Sequence, residues 1–204
     1  INYMDKLVGK LLRTLDSLKL RDNTLIVFMG DNGTAGQAAA IGTVNGKKII
    51  GKKGTMQEGG SLVPLIANWP STIKKGSVSK DLIDATDLIP TFAEIAGAPL
   101  PTNNILDGKS FAYQLKGGKG SPRDWIFTEL GNDWYLRSAN WKLNRAGQLF
   151  DMRNAPFEEK EVAIDDSNKA EKDKLQKVLD GLNPAGGILD KGDGSGRHAT
   201  KVKA

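Results

Sequence analysis

Apolar residues recur at helical spacing over residues 3–20, where Leu7, Val8, Leu11, Leu12, Leu15 and Leu18 share one face and Lys and Arg take the other. The turn Arg21-Asp22-Asn23 leads into an unbroken apolar run of strand length, residues 25–29. Helix, short turn and buried strand make half of an α/β layer unit. Residues 34–51 are rich in Gly and Ala and read as a mobile surface loop. Residues 62–68 read as a second core strand, which Pro64 confines to an edge or to its first residues. Asp87 is placed to cap a helix over residues 88–96, with Pro90 in its first turn and Gly97 just past its end.

Pro99-Leu-Pro101-Thr-Asn-Asn104 reads as a linker, and from Trp125 the period shortens. Residues 126–129, 134–138, 141–144 and 148–151 read as short strands, joined by turns at Gly131-Asn132-Asp133 and Ala146-Gly147. Residues 168–182 read as a charged helix whose Leu175, Val178, Leu179 and Leu182 cover that antiparallel sheet. The Gly- and Lys-rich residues 184–204 are expected to be disordered. The expected organisation is therefore an α/β portion over 1–120, a small antiparallel subdomain over 121–183 and a tail over 184–204. No internal repeat is visible.

Composition narrows the function classes. The 204 residues, 39% hydrophobic, can bury the core of one ordinary domain. The net charge of +5 is scattered, and the one local cluster before the tail, Lys47, Lys48, Lys52 and Lys53, has no interleaved aromatics. Nucleic acid is not expected as a partner. With no cysteine there are no disulfides and no thiolate metal sites. No apolar run approaches the roughly 20 residues of a membrane helix.

Candidate chemistry concentrates at the end of the first strand. Residues 25–29 run into Gly30, then Asp31-Asn32-Gly33, and about twenty residues on comes Lys53-Gly54-Thr55 with Glu58-Gly59-Gly60. Ligands of open α/β sheets bind at carboxyl ends of strands. A carboxylate beside an amide carbonyl offers hard oxygen donors, suited to Ca²⁺ or Mg²⁺. A lysine nearby can grip an anion. Taken alone, an Asp-Asn-Gly after a strand is more often a plain turn.

The ordered set of motifs resembles the sulfatase family, within the alkaline-phosphatase-like superfamily. Asp31-Asn32-Gly33, Lys53-Gly54-Thr55, Glu58-Gly59-Gly60 and Val63-Pro64 leading to Trp69-Pro70 are followed by Asp87-Leu-Ile-Pro90-Thr91. Then come Asp107-Gly108-Lys109-Ser110, Trp141-Lys142-Leu143, Leu149-Phe150-Asp151 and Asn154-Ala-Pro156-Phe-Glu158. The resemblance covers roughly residues 1–164. It implies that Asp31 and Asn32 ligate Ca²⁺ and that Lys53 contacts a sulfate oxygen, with Lys52 a rival one residue away. Glu58 with Gly59-Gly60 reads as structural: the glycines allow a tight backbone, and Glu58 is expected to hold the loop by hydrogen bonds. The resemblance also implies a periplasmic or extracellular setting and a sulfated small molecule or carbohydrate as substrate.

Several family elements are not in these residues. There is no Cys/Ser-x-Pro-x-Arg motif to yield the formylglycine nucleophile; Ser121-Pro122-Arg123 has the wrong spacing. An N-terminal Asp-Asp pair and the active-site histidines are also lacking, and the one histidine, His198, lies in the tail. Leu62 stands where the family often has Arg. The chain is therefore expected to be the C-terminal part of a sulfatase, inactive alone. Two alternatives stay open: a phosphodiesterase or phosphonate monoester hydrolase of the same superfamily, and a non-catalytic binding module. Two further groups read as bland. Asp190 and Asp193 lack the spacing of a Ca²⁺ loop, and Trp125, Trp134 and Trp141 suit sheet packing better than a sugar site.

Overall fold

The computed structural model describes residues 1–36, 42–49, 51–103 and 105–182. The expected tail, with Asp190, Asp193 and His198, lies outside them. The chain divides into two compact units. One comprises Ile1–Asp31 and Val63–Arg123; the other comprises Asn32–Leu62 and the chain from Asp124 onward.

In the first unit, α1 (Asn2–Ser17) ends near the expected point, and a single 3₁₀ turn at Arg21–Asn23 leads to β1 (Ile26–Met29). β1 pairs antiparallel with β4 (Leu65–Asn68), Ile26 opposite Asn68 and Met29 opposite Leu65. Both were expected to be buried core strands, and neither is. β1 is half-buried, and β4 alternates, leaving Ile66 59% exposed. Each has one paired neighbour in this sheet, and a strand pair can cover only one of its faces. The apolar stripe of α1 is likewise open, with Leu7 and Leu11 about half exposed. Pro64 sits just before β4, where its missing N–H costs no ladder bond.

α3 (Leu88–Ala96) matches its expected span, and Gly97 closes it in the left-handed conformation at φ 64°. Asp87 stands at the N-cap position as expected, but its side chain makes no capping bond to α3. The chain enters through a 3₁₀ turn, Ala85–Asp87, capped by Asp84, whose carboxylate accepts from Thr86 N–H at 2.9 Å while Asp87 Oδ2 accepts from Asp84 N–H at 2.8 Å. That reciprocal capping box takes one bond from the Asp87 carboxylate, which also reaches further. Asp87 is 1% exposed, accepts from Lys109 N–H at 2.6 Å and is gripped by both Nε and Nη2 of Arg123. Gly108 explains the Asp-Gly-Lys-Ser element, since a Cβ there would lie 2.0 Å from Thr86 O. The short helix α4 (Ala112–Leu115) follows and contributes buried Ala112 and Leu115.

In the second unit a five-stranded antiparallel meander runs β5 (Ile126–Leu130), β6 (Asp133–Arg137), β7 (Trp141–Asn144), β8 (Leu149–Asp151) and β9 (Lys160–Val162). The last strand escapes notice in the sequence because Lys160-Glu161-Val162 carries a single apolar residue. α5 (Lys169–Leu182) lays Leu175 and Leu179 on Leu136, Leu143 and Leu149, with Val178 beside them; Leu182, the fourth expected covering residue, stays 40% exposed. Trp125, Trp134 and Trp141 pack against this cluster, and Trp134 also stacks on Arg145. The loop reading of 34–51 misses a small hairpin, β2 (Thr43–Val44) and β3 (Lys47–Lys48). Asn45 and Gly46 turn it with φ of 51° and 76°, the backbone that an Asn-Gly pair adopts most readily.

Candidate metal and anion-binding site

β1 delivers the chain to Gly30, whose N–H donates to Pro64 O at 3.1 Å, and the backbone then bends through Asp31 and Asn32. Both side chains are exposed and the following Gly33 is buried. Asn32 Nδ2 donates to Gly33 O at 3.3 Å, which orients the amide. Gly33 is required by what it meets: an added Cβ would fall 1.8 Å from Gly59 O and 2.9 Å from Gly60 Cα. Gly33 N–H donates to Gly60 O at 2.8 Å, so two backbones lie directly against each other.

The partner segment is the loop 52–61, which ends in the one-turn helix α2 (Glu58–Ser61). Lys53 is exposed, and its N–H donates to Thr34 O at 3.2 Å. Lys52 is half-buried, with its N–H on Gly59 O at 2.9 Å. The two lysines thus differ in exposure, Lys53 being the more accessible cation. Thr55 folds the loop back, with both its N–H and its hydroxyl donating to Lys52 O. Gly60 is as constrained as Gly33, since a Cβ there would meet Thr55 O at 2.3 Å.

Glu58 is 4% exposed, and its carboxylate is held by an ion pair. Arg137 Nε lies 2.7 Å from its Oε1 without pointing its N–H at it, so the contact is ionic rather than a directed bond. Glu58 N–H donates to Glu159, whose other carboxylate oxygen pairs with Lys142. Lys142 Nζ also donates to Met56 O at 3.3 Å and lies over the rings of Tyr135 and Phe150. Burial pushes its pKa down from 10.5 to about 8; the Glu58 charge opposes the shift and Arg137 adds to it. Burial also raises the Tyr135 phenol, which shares a 2.6 Å hydrogen bond with Ser61. Sequence reading did not single out Arg137 or Glu159. Arg137 closes a strand whose preceding three residues, Trp134, Tyr135 and Leu136, are aromatic or apolar, while Glu159 lies outside any strand and carries no such signal.

The donor set fits a hard cation in kind: a carboxylate and an amide side by side at a strand end. It falls short in number, since among the described residues no three His, Cys, Asp or Glu side chains gather into a metal-sized group. The sequence holds no Cys/Ser-x-Pro-x-Arg motif from which a formylglycine is made. Among the described residues, no helix is long and apolar enough to cross a membrane.

The sulfatase family model matches residues 1–98. Steryl-sulfatase of Homo sapiens is 34% identical over 145 residues, which are 69% of this chain and 25% of that protein. Among solved structures, a 2-O GAG sulfatase superposes with a TM-score of 0.67 at 23% identity, over 88% of this chain and 40% of that one. A phosphonate monoester hydrolase of Agrobacterium radiobacter superposes at 0.64 and 23%, over 89% and 39%. The chain spans about a quarter of the curated relative and about two fifths of the solved chains. At these identities the two structures speak for the fold, an alkaline-phosphatase-like α/β portion followed by a small antiparallel sheet with its helix. Motif order, sequence match and fold agree, and the chain belongs to the sulfatase family.

Proposed function

We propose that the chain supplies the metal-bearing strand end and the anion-gripping loop of a sulfuric ester hydrolase. Asp31 and Asn32 would hold Ca²⁺, and Lys53 would contact a sulfate oxygen. The observation that carries this reading is the backbone seam of Gly33 with Gly59 and Gly60, which ties the Asn32 turn to the loop bearing Lys53. A cation fixed in place stabilises charge as it develops on oxygen, at no cost of reorganisation. Ca²⁺, when bound, supplies Lewis-acid polarisation of the sulfate oxygens. Two oxygen donors are short of the six to eight Ca²⁺ takes, so further ligands would come from outside these 204 residues. So would the formylglycine nucleophile, from a Cys or Ser, which leaves this chain inactive alone.

The substrate would be a sulfated small molecule or carbohydrate, met in the periplasm or outside the cell. The likeness to a phosphonate monoester hydrolase supports a second reading, phosphoryl ester chemistry at the same strand ends. A non-catalytic binding module is the third. The test is Lys53→Ala in the protein joined to its Cys/Ser-x-Pro-x-Arg segment, assayed with p-nitrophenyl sulfate. A fall in kcat/KM of about 10²–10³ is expected, with little effect from Lys52→Ala. Exchanged effects would move the assignment to Lys52. No effect from either overturns the anion-binding role, and hydrolysis of a phosphonate ester in place of the sulfate favours the second reading.

A further inference from the structure

The five-stranded sheet buries both faces, and only one of them is apolar. α5 covers Leu136, Leu143 and Leu149. The register sets Arg137 opposite Lys142, Lys142 opposite Phe150, and Tyr135 opposite Asn144, which places all five residues on the other face. Tyr135 is 1% and Lys142 4% exposed there. What covers them is the loop 52–61. Ser61 meets Tyr135, Glu58 meets Arg137, Met56 O accepts from Lys142, and Glu159 bridges Glu58 N–H and Lys142. Met56, Gln57, Tyr135, Lys142, Phe150 and Glu159 line the remaining space, a cavity of about 180 Å³. Two carboxylates and two cations balance to zero charge in this seam.

An apolar sheet face would hold a covering loop without fixing its register. Paired charges fix it, because a shifted loop strands a buried ion. On the reading of Lys53 given above, the register matters: a displacement of about 1 Å from productive geometry can cost on the order of 10² in rate. We propose that Arg137, Lys142 and Glu159 are positioning residues, by which the small sheet fixes the loop that carries Lys53 and, through Gly33, the Asn32 turn. The small sheet is then part of the site's scaffold and not an appended module.

The test is residue-resolved amide exchange on the chain itself, in Glu159→Gln, Lys142→Met and the double variant. The amides of Lys53, Thr55 and Gly60, each bonded to backbone, are expected to exchange about tenfold faster in either single variant, while Phe127 and Leu136 in β5 and β6 change less than about twofold. The double variant should loosen the loop no more than the worse single one, since both changes break one unit. If either variant does not fold, Tyr135→Phe serves, with faster exchange expected at Leu62 N–H, which donates to Glu58 O. An unchanged loop overturns the proposal. So do equal losses in loop and sheet, or additive effects in the double variant. These outcomes do not depend on Lys53 chemistry: a loosened loop with no effect of Lys53→Ala on hydrolysis leaves the clamp standing and removes the anion-binding assignment.

Discussion

Replacing Gly33 by alanine tests whether the Asn32 turn is held by direct backbone contact. The new Cβ would lie 1.8 Å from Gly59 O and 2.7 Å from Gly59 C, against backbone that cannot rotate away as a side chain can. Ordinary contact needs more than 3 Å, so the two segments must part by over an ångström. That breaks the 2.8 Å bond from Gly33 N–H to Gly60 O and leaves a buried donor unsatisfied, at about 1–3 kcal/mol. Overpacking adds about 1–3 kcal/mol, for a total of about 2–6 kcal/mol. The assay is urea unfolding followed by tryptophan fluorescence, since Trp125, Trp134 and Trp141 all report on the unit that contains Gly33. Gly181→Ala is the control in the same unit: nothing lies within 4 Å of its added Cβ, and in helix α5 it should stabilise by up to about 1 kcal/mol. If Gly33→Ala unfolds at the wild-type midpoint, the backbone contact is not present in solution and the seam argument falls.

Arg123→Leu should destabilise the first unit by about 3–5 kcal/mol, because it leaves the Asp87 carboxylate, 1% exposed, without its cation; loss of helical circular dichroism on heating measures it, and a shift below about 1 kcal/mol would show the pair to be dispensable. Lys142 has a folded pKa of about 8, below its unfolded 10.5. The unfolded chain therefore holds more protons between these values, and stability should rise with pH across that window by at most about 1.4 kcal/mol per unit. Lys142→Met should flatten this slope in urea titrations from pH 8 to 9.5, and an unchanged slope would mean that Lys142 titrates normally. Calorimetry should find weak Ca²⁺ binding to the chain alone; sub-micromolar affinity that survives Asp31→Ala and Asn32→Ala would place the site elsewhere, with Asp190 and Asp193 the first to examine. The chain alone should not turn over p-nitrophenyl sulfate with added Ca²⁺, and turnover lost in Asp31→Ala would refute the need for an outside nucleophile.

Local pattern alone located α1, α3, α5 and four of the five sheet strands, because each carries an apolar repeat at the period of its own geometry. The candidate site, Asp31, Asn32 and Lys53, rests instead on the ordered motifs of the family resemblance, since an Asp-Asn-Gly taken alone reads as a plain turn. β9 was hidden for lack of such a repeat, and the β2–β3 hairpin because Asn45-Gly46 sits within a polar, glycine-rich stretch.

Roles that depend on distant partners were decided by the tertiary structure. Asp87 reads as a helix cap, and it holds that position, but Asp84 N–H, ahead of the 3₁₀ turn, and Arg123, thirty-six residues on, claim its carboxylate. Glu159 stands in no motif, and only the fold brings it to Glu58 N–H, 101 residues away in sequence. Gly33 and Gly60 read as turn glycines, and only the approach of two backbones shows why no larger residue fits. Periodicity and residue chemistry are properties of neighbours along the chain, so they are legible there. Burial of a charge, and the counter-charge that makes it tolerable, arise when remote segments meet, and nothing in either segment by itself records the meeting.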